Sequence, residues 1–148
     1  MYITTSKNPS PLSVKFAKRL ALLLFSVYEN RGKKAIEKVV ARAKLHGMRR
    51  ALFVYEKNKM PHSLVFMQLN GEWKWLKPEI AVKEFKFYRL PKYFGDGIVL
   101  SKKTAPKFRK LFDFSPIDSD DVSELAITKT KIYFLYRKKK IGMEILRE

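Results

Sequence analysis

A short strand, a polar turn and a helix that begins at a proline make up the start of the sequence, and this arrangement limits the possible folds more than any other feature. Residues 2–5 are aromatic or β-branched, residues 6–10 are polar, and Ser10 precedes Pro11. A hydroxyl side chain followed by proline at the first helical position is a typical helix start. The sequence therefore opens with a strand-to-helix unit, as α/β folds do.

The predicted helix is amphipathic and basic. Its apolar residues recur at the spacing of one helical face, at Leu12, Phe16, Leu20, Leu23 and Leu24. Three cations lie beside or opposite that face: Lys15, Lys18 and Arg19. We expect the helix to pack on a core and to present these cations to solvent.

A second polar turn, at residues 28–32, follows a short strand predicted at residues 25–28. Asn30 and Gly32 both tolerate the left-handed backbone conformation, so a tight connection is expected before a second helix that starts at Lys33. Two interpretations remain open. Arg31 and Lys33 could grip a phosphate while Asn30 hydrogen-bonds it or a sugar, or Asn30 and Gly32 could serve only the geometry of the turn.

The middle of the chain predicts β-structure, with strands at residues 50–56, 63–69, 72–76 and 82–90. Asn70 and Gly71 form a strong hairpin signal, and Pro78 is expected to end the third of these strands. Trp73 and Trp75 share one strand face, where they could fill a core or stack on bases.

The segment after residue 97 repeats the opening unit in shortened form. Residues 98–103 match residues 3–8 in pattern, and a basic helix again begins at a proline, Pro106. Strands at residues 125–128, 132–137 and 143–147 complete the chain. An internal duplication would give two similar halves related by a pseudo-twofold, about residues 1–92 and 93–148, each a mixed sheet with one or two helices.

Positive charge dominates the composition. The chain has 32 Lys and Arg against 14 Asp and Glu, a net charge of +18. Such an excess attracts polyanions. No apolar run approaches the ~20 residues that span a membrane, so nucleic acid is the favoured partner. There is no cysteine, which excludes disulfides and thiolate metal sites, and a cytoplasmic location is expected.

The two polar turns resemble the most recognisable marks of the Brix domain family, and the whole chain resembles its short archaeal members. The matching residues are Thr5, Ser6, Lys7, Pro9 and Ser10, and then Asn30, Arg31 and Gly32. The family usually has arginine where this chain has Lys7. Lysine keeps the charge but lacks the planar fork that contacts a phosphate through two hydrogen bonds.

The resemblance implies a single Brix domain over residues 1–148, with two similar halves, each akin to the anticodon-binding domain of class IIa aminoacyl-tRNA synthetases. It also implies a non-enzymatic role in ribosome biogenesis, in pre-rRNA processing or subunit assembly. The expected partners are ribosomal RNA or its precursor and ribosome assembly proteins, with no small-molecule substrate and no cofactor.

The candidate RNA-binding residues combine the motif positions with the nearby cations. They are Thr5, Ser6, Lys7, Ser10, Lys15, Lys18, Arg19, Asn30, Arg31, Gly32, Lys33 and Lys34. No catalytic or metal-ligating residue is predicted.

Two alternatives remain open. One is a ribosomal or tRNA-associated protein that stays with its RNA permanently. The other is a metal-dependent nuclease, whose Mg²⁺ would be held by the only carboxylate cluster: Asp113, Asp118, Asp120 and Asp121. A short helical turn capped by Ser119 or Asp120 would explain these carboxylates without a metal.

Overall fold

The computed structural model describes residues 1–148 as nine strands and three helices. The elements of the first half are β1 (Tyr2–Thr5), α1 (Pro11–Leu23), β2 (Val27–Tyr28), α2 (Ile36–Leu45), β3 (Arg50–Lys57), β4 (Met60–Gln68) and β5 (Lys74–Phe87). Those of the second half are β6 (Ile98–Leu100), α3 (Pro106–Arg109), β7 (Ser123–Ile127), β8 (Lys131–Tyr136) and β9 (Lys139–Arg147). The strands form one mixed sheet in the order β2-β1-β3-β4-β5-β9-β8-β7-β6. The predicted α/β class is confirmed.

The elements with strong local signals lie where the sequence predicts them. Strand β1 and the start of α1 match their predicted positions, whereas α2 begins at Ile36 and not at Lys33. The delay arises because Gly32 has a φ of 56° and Ala35 is extended. Strand β2 is shorter than predicted, since Phe25 has a φ of 53° and cannot belong to a strand.

Strand β5 does not end at Pro78, and that prediction is wrong. Leu76 pairs with Phe66 and Ile80 pairs with Leu64, so three residues of β5 face the single Val65 of β4. Such a bulge takes residues out of the hydrogen-bonded ladder, which is where a strand accepts a proline that has no N–H. Residues 74–81 of β5 pair with β4, and residues 82–87 pair with β9.

The two halves repeat one series of strand pairings. In the first half β1 pairs with β3 in parallel, and β3–β4 and β4–β5 are antiparallel. In the second half β6 pairs with β7 in parallel, and β7–β8 and β8–β9 are antiparallel. Strand β2 and helix α2 have no counterpart in the second half. A duplication would require this series, and the pseudo-twofold itself stays a prediction.

Helices cover both faces of the sheet. Helices α1 and α3 pack in a core cluster of 23 buried residues, and α2 packs in a separate cluster of nine on the other face. Contacts also cross between the halves. The side chain of Leu23 in α1 lies against Gly142 of β9, and the Phe112 ring meets Phe66 of β4 at 5.1 Å between centroids. None of the helices has the length and apolar character that crossing a membrane requires.

Candidate nucleic-acid interface

The two polar turns lie together at one end of the sheet. Strands β1 and β2 are parallel neighbours, but the chain leaves β1 towards α1 on one face and leaves β2 towards α2 on the other. In open α/β sheets, ligands bind in the crevice outside the carboxyl ends of such strands. The connections at this point are residues 6–10 and 29–35, which contain all the motif residues except Thr5, the last residue of β1.

Hydrogen bonds join the two turns directly. The backbone N–H of Asn8 donates to the Gly32 carbonyl at 3.0 Å. The Arg31 guanidinium donates through Nη1 to the Thr5 carbonyl, also at 3.0 Å. The two motifs, more than twenty residues apart in the chain, therefore form a single structural unit.

Several motif residues are buried inside this unit. Arg31 is only 4% exposed, its Nε donates to the Lys34 carbonyl at 2.7 Å, and its guanidinium lies 5.8 Å from the Phe53 ring centroid. Thr5 is fully buried, with its hydroxyl donating to the Ser6 carbonyl. The Ser6 hydroxyl is buried without a hydrogen-bond partner. Arg31 thus holds the turns in place and is not available to a phosphate in this structure.

Ser10 fixes the start of α1. Its hydroxyl accepts from the Ser13 N–H and contacts the Glu56 carboxylate at 2.8 Å. The Ser13 hydroxyl donates to the same carboxylate at 2.6 Å. Burial would raise the pKa of Glu56, but the hydrogen bonds from Ser13 and Ser10 leave that pKa lowered. The helix N-terminus is therefore tied to the end of β3.

The candidate cations other than Arg31 and Lys34 fall into two groups. Lys7, Lys18 and Lys33 are exposed around the turns. Lys15 and Arg19 lie on another side of α1, both over the Phe87 ring. Arg19 also donates to the carbonyls of Tyr88 and Gly142. The structure thus brings Lys18 to the turns and directs Lys15 and Arg19 towards β5 and β9.

A basic cleft of about 510 Å³ opens between α1, the end of β2 and α2. Its lining residues are Lys18, Tyr28, Glu29, Asn30, Lys34, Lys38 and Arg42. Four cations therefore face one carboxylate. Asn30 accepts a hydrogen bond from the Tyr28 hydroxyl, and Lys34 donates to the Asn30 and Arg31 carbonyls.

Glu29 organises the cleft and was not among the candidate residues. Its carboxylate accepts from Arg42 Nη2 at 2.6 Å and from the Tyr2 hydroxyl at 2.7 Å, and it lies 3.0 Å from His46 Nε2. The hydrogen bond from Arg42, with those from Tyr2 and His46, lowers the pKa of Glu29 to about 2. Glu29 is thus ionised at neutral pH and holds the Arg42 guanidinium at the cleft.

Lys38 and Arg42 were also not predicted, although the sequence carries a signal for them. Lys34, Lys38 and Arg42 recur every fourth residue, the spacing that places side chains on one helical face. The position of Glu29, directly before the Asn30 motif, gives no comparable signal.

Two of the four carboxylates considered for a nuclease site, Asp113 and Asp121, have partners within the protein. Asp113 pairs with Arg49 at 3.0 Å, and Asp121 accepts from the Tyr93 and Tyr136 hydroxyls. No three His, Asp or Glu side chains are grouped so that they could hold a metal ion. Residues 118–121 form no helical turn, so the capping interpretation of these residues is wrong.

Solved structures of other proteins share this mixed α/β fold. One similar solved structure is a probable ribosomal biogenesis protein from Aeropyrum pernix K1, with a TM-score of 0.80 and 19% identity over 99% of this chain and 93% of that chain. Another is Mil, an archaeal Imp4-like protein, with a TM-score of 0.74 and 20% identity over 99% of this chain and 96% of that chain. No protein-family model and no curated protein matches the sequence. At this identity the likeness establishes the fold, and it confirms the α/β class expected from the resemblance to the Brix domain family.

Proposed function

We propose that this protein is a non-enzymatic rRNA-binding factor in ribosome biogenesis, acting in pre-rRNA processing or subunit assembly. The observation that carries the proposal is the convergence of four cations on the basic cleft at the point where the sheet's connections diverge. The net charge of +18 adds a long-range attraction for a polyanion. The Aeropyrum protein's description as a probable ribosomal biogenesis protein supports the same role here.

The cleft suits the sugar-phosphate backbone of RNA. Lys18 and Lys38 are exposed on its opposite sides, and Arg42 uses Nε and Nη2 for Glu29, which leaves other guanidinium N–H groups free. Contacts of this kind position an RNA without reading its sequence. The exposed Lys7 and Lys33 extend this surface from the cleft over the two turns.

The motif residues that hydrogen-bond within the protein have a different task in this proposal. Thr5, Ser6, Ser10, Arg31 and Gly32 hold the turns that carry the exposed cations, through the hydrogen bonds described above. Lys15 and Arg19 bind RNA only where the strand continues along α1 towards β5. The motif thus acts mainly through geometry, and the lysines around it supply the charge.

Affinity for rRNA fragments at several salt concentrations tests the proposal. If about six phosphates are contacted, affinity should fall on the order of a thousandfold between 50 and 200 mM salt. Replacing Lys18→Gln and Lys38→Gln together should reduce the slope of log affinity against log salt by about two, roughly one for each lost phosphate contact.

A matched control removes the same number of positive charges, two, at the polar turn of the second half. Lys102→Gln with Lys103→Gln, both exposed residues, should leave the slope close to that of the unaltered protein. Equal effects of the two pairs would place binding outside the basic cleft. Salt-insensitive or undetectable binding to rRNA fragments would contradict the proposal as a whole.

Two further measurements separate the alternatives. Co-sedimentation with precursor particles alone agrees with an assembly factor, and co-sedimentation with mature subunits identifies a permanent ribosomal protein. Mg²⁺-dependent RNA cleavage that is lost in Asp118→Ala or Asp120→Ala would identify a nuclease. We expect no such activity.

A further inference from the structure

An aromatic groove of about 500 Å³ lies on the same face of the sheet as α2. Its side chains include Tyr55, Ser63, Val65, Trp75, Lys77 and Glu79. Val65 belongs to the core cluster beneath α2, which identifies the face. The basic cleft shares none of these residues, so the groove is a second, separate depression.

The bulge in β5 contributes one wall of this groove. Three residues, 77–79, stand opposite the single Val65, so that segment departs from the plane of the neighbouring strand. Tyr55 and Ser63 are directly paired across β3 and β4 and lie on another side.

The aromatic side chains are held in place by one another. The Trp75 ring meets the Phe53 ring edge to face at 5.2 Å and the Trp73 ring at 5.8 Å. The Tyr55 ring stacks on Phe53, with an interplanar angle of 22°. Trp75 nevertheless remains 37% exposed, so a large apolar ring in a fixed position faces solvent. Exposed aromatic rings are the platforms on which proteins stack unpaired bases.

The groove adjoins the two polar turns. Thr5 pairs with Val54, and the Ser6 N–H donates to the Val54 carbonyl, so Tyr55 follows directly where the first turn begins. On the second turn, the Arg31 guanidinium lies over Phe53, the ring that also contacts Trp75 and Tyr55. An RNA strand whose phosphates contacted Lys7 and Lys33 would therefore pass next to the groove.

The polar side chains of the groove match the edge of a base. The Ser63 hydroxyl can donate or accept, and the Glu79 carboxylate can accept from an exocyclic amino group. Glu79 and Lys77 form an exposed ion pair at 3.5 Å, which costs little to rearrange. Lys77 would then be free to contact a phosphate.

We propose that the aromatic groove binds an unpaired nucleobase of single-stranded RNA, stacked on Trp75 and beside Tyr55. This inference rests on the proposed function, because it assumes that the partner is RNA. It adds a preference for single-stranded regions, which phosphate contacts alone do not provide.

Tryptophan fluorescence gives a direct test, because the chain has only two tryptophans. In the Trp73→Phe variant, Trp75 is the only tryptophan, and a base stacked on it should quench its fluorescence. A short single-stranded RNA should quench this signal, whereas the same RNA as a duplex and inorganic polyphosphate should bind without quenching. In the matched variant Trp75→Phe, the remaining Trp73 should report a much smaller change with all three ligands.

Affinity provides the second measurement. Trp75→Ala should weaken single-strand binding about 5- to 150-fold, the effect of losing one base–aromatic stack. Trp75→Phe should retain most of the affinity, and duplex binding should not change in either variant. Thermal unfolding of each variant shows whether the fold is kept.

The outcomes separate this inference from the proposed function. Salt-dependent RNA binding with no quenching of Trp75 and no effect of Trp75→Ala overturns the groove alone. Absence of binding to any RNA overturns both. Quenching by an apolar peptide but not by RNA assigns the groove to a protein partner and overturns the inference.

Discussion

Arg31 shows how a residue can matter for binding without touching the ligand. Its guanidinium donates to the carbonyls of Thr5, at the end of β1, and of Lys34, and Arg31 is 4% exposed. The sequence identified the position through the Asn30–Gly32 motif, and it left open whether the motif serves the turn or the ligand. The burial of Arg31 favours the structural role in the turn. That burial depends on Phe53 and Thr5, which lie far from Arg31 in the sequence.

Replacing Arg31→Ala is expected to lower the free energy of unfolding by about 1–3 kcal/mol, because the Thr5 and Lys34 carbonyls lose their buried donor. Lys7→Ala, at an exposed position, should stay within about 0.5 kcal/mol of the unaltered protein and should weaken RNA binding. Urea denaturation measures the first quantity and an RNA titration the second. Unchanged stability in Arg31→Ala with weaker RNA binding would mean that Arg31 contacts RNA directly.

At the scale of elements, local signals predicted α1 well and β5 poorly. The start of α1 is determined by Ser10, Pro11 and a helical period within thirteen residues, all of which are visible in sequence. The path of β5 past Pro78 depends on its pairing with β4, and a single sequence does not show a pairing partner. The sequence did not predict the aromatic groove either, because one of its walls is the bulge, which depends on the same pairing of β5 with β4.

The packing of α1 on β9 gives a prediction at this scale. A Cβ on Gly142 would lie 2.4 Å from Leu23 Cδ2, and Gly142 has a φ of 70°. Gly142→Ala should therefore incur the cost of a left-handed alanine, about 1–2 kcal/mol, and a further 1–3 kcal/mol or so of overpacking. Chemical denaturation measures the total.

Gly71→Ala is the matched control, because Gly71 has a φ of 76° but nothing within 4 Å of an added Cβ. The Gly71→Ala variant should lose only the free energy of unfolding that a left-handed alanine costs, about 1–2 kcal/mol. Adding Leu23→Ala to Gly142→Ala should cost less than the two single losses together, since the alanine side chain relieves the contact. Equal losses in Gly142→Ala and Gly71→Ala would contradict the packing argument.

At the scale of the whole molecule, the two halves share one core. The 23-residue cluster takes residues from β1, β3 and β4 as well as from β7, β8 and β9. The internal repeat in the sequence indicated two halves but not this mutual dependence, because contacts such as Phe112 with Phe66 join distant segments. We therefore propose that residues 1–148 form one folding unit.

Both tryptophans belong to the first half, so their fluorescence reports on that half, while circular dichroism reports on the whole sheet. The two probes should give coincident urea transitions. Residues 93–148 alone should remain unfolded, as measured by circular dichroism, because the apolar residues that complete their core lie in the first half. Separate transitions, or a folded fragment, would show that the halves are independent.

The division of β5 between two partners affects how the halves are oriented. Its first part pairs only with β4 and its second part only with β9, so backbone hydrogen bonds leave the angle between the two sub-sheets largely unspecified. Side chains packed between the halves restrain that angle, and they include Leu23 and Arg19, through which α1 contacts β9. Substitutions at these positions are expected to shift how α1 packs on β9. They would change the angle between the two sub-sheets while leaving the strand pairing within each sub-sheet intact.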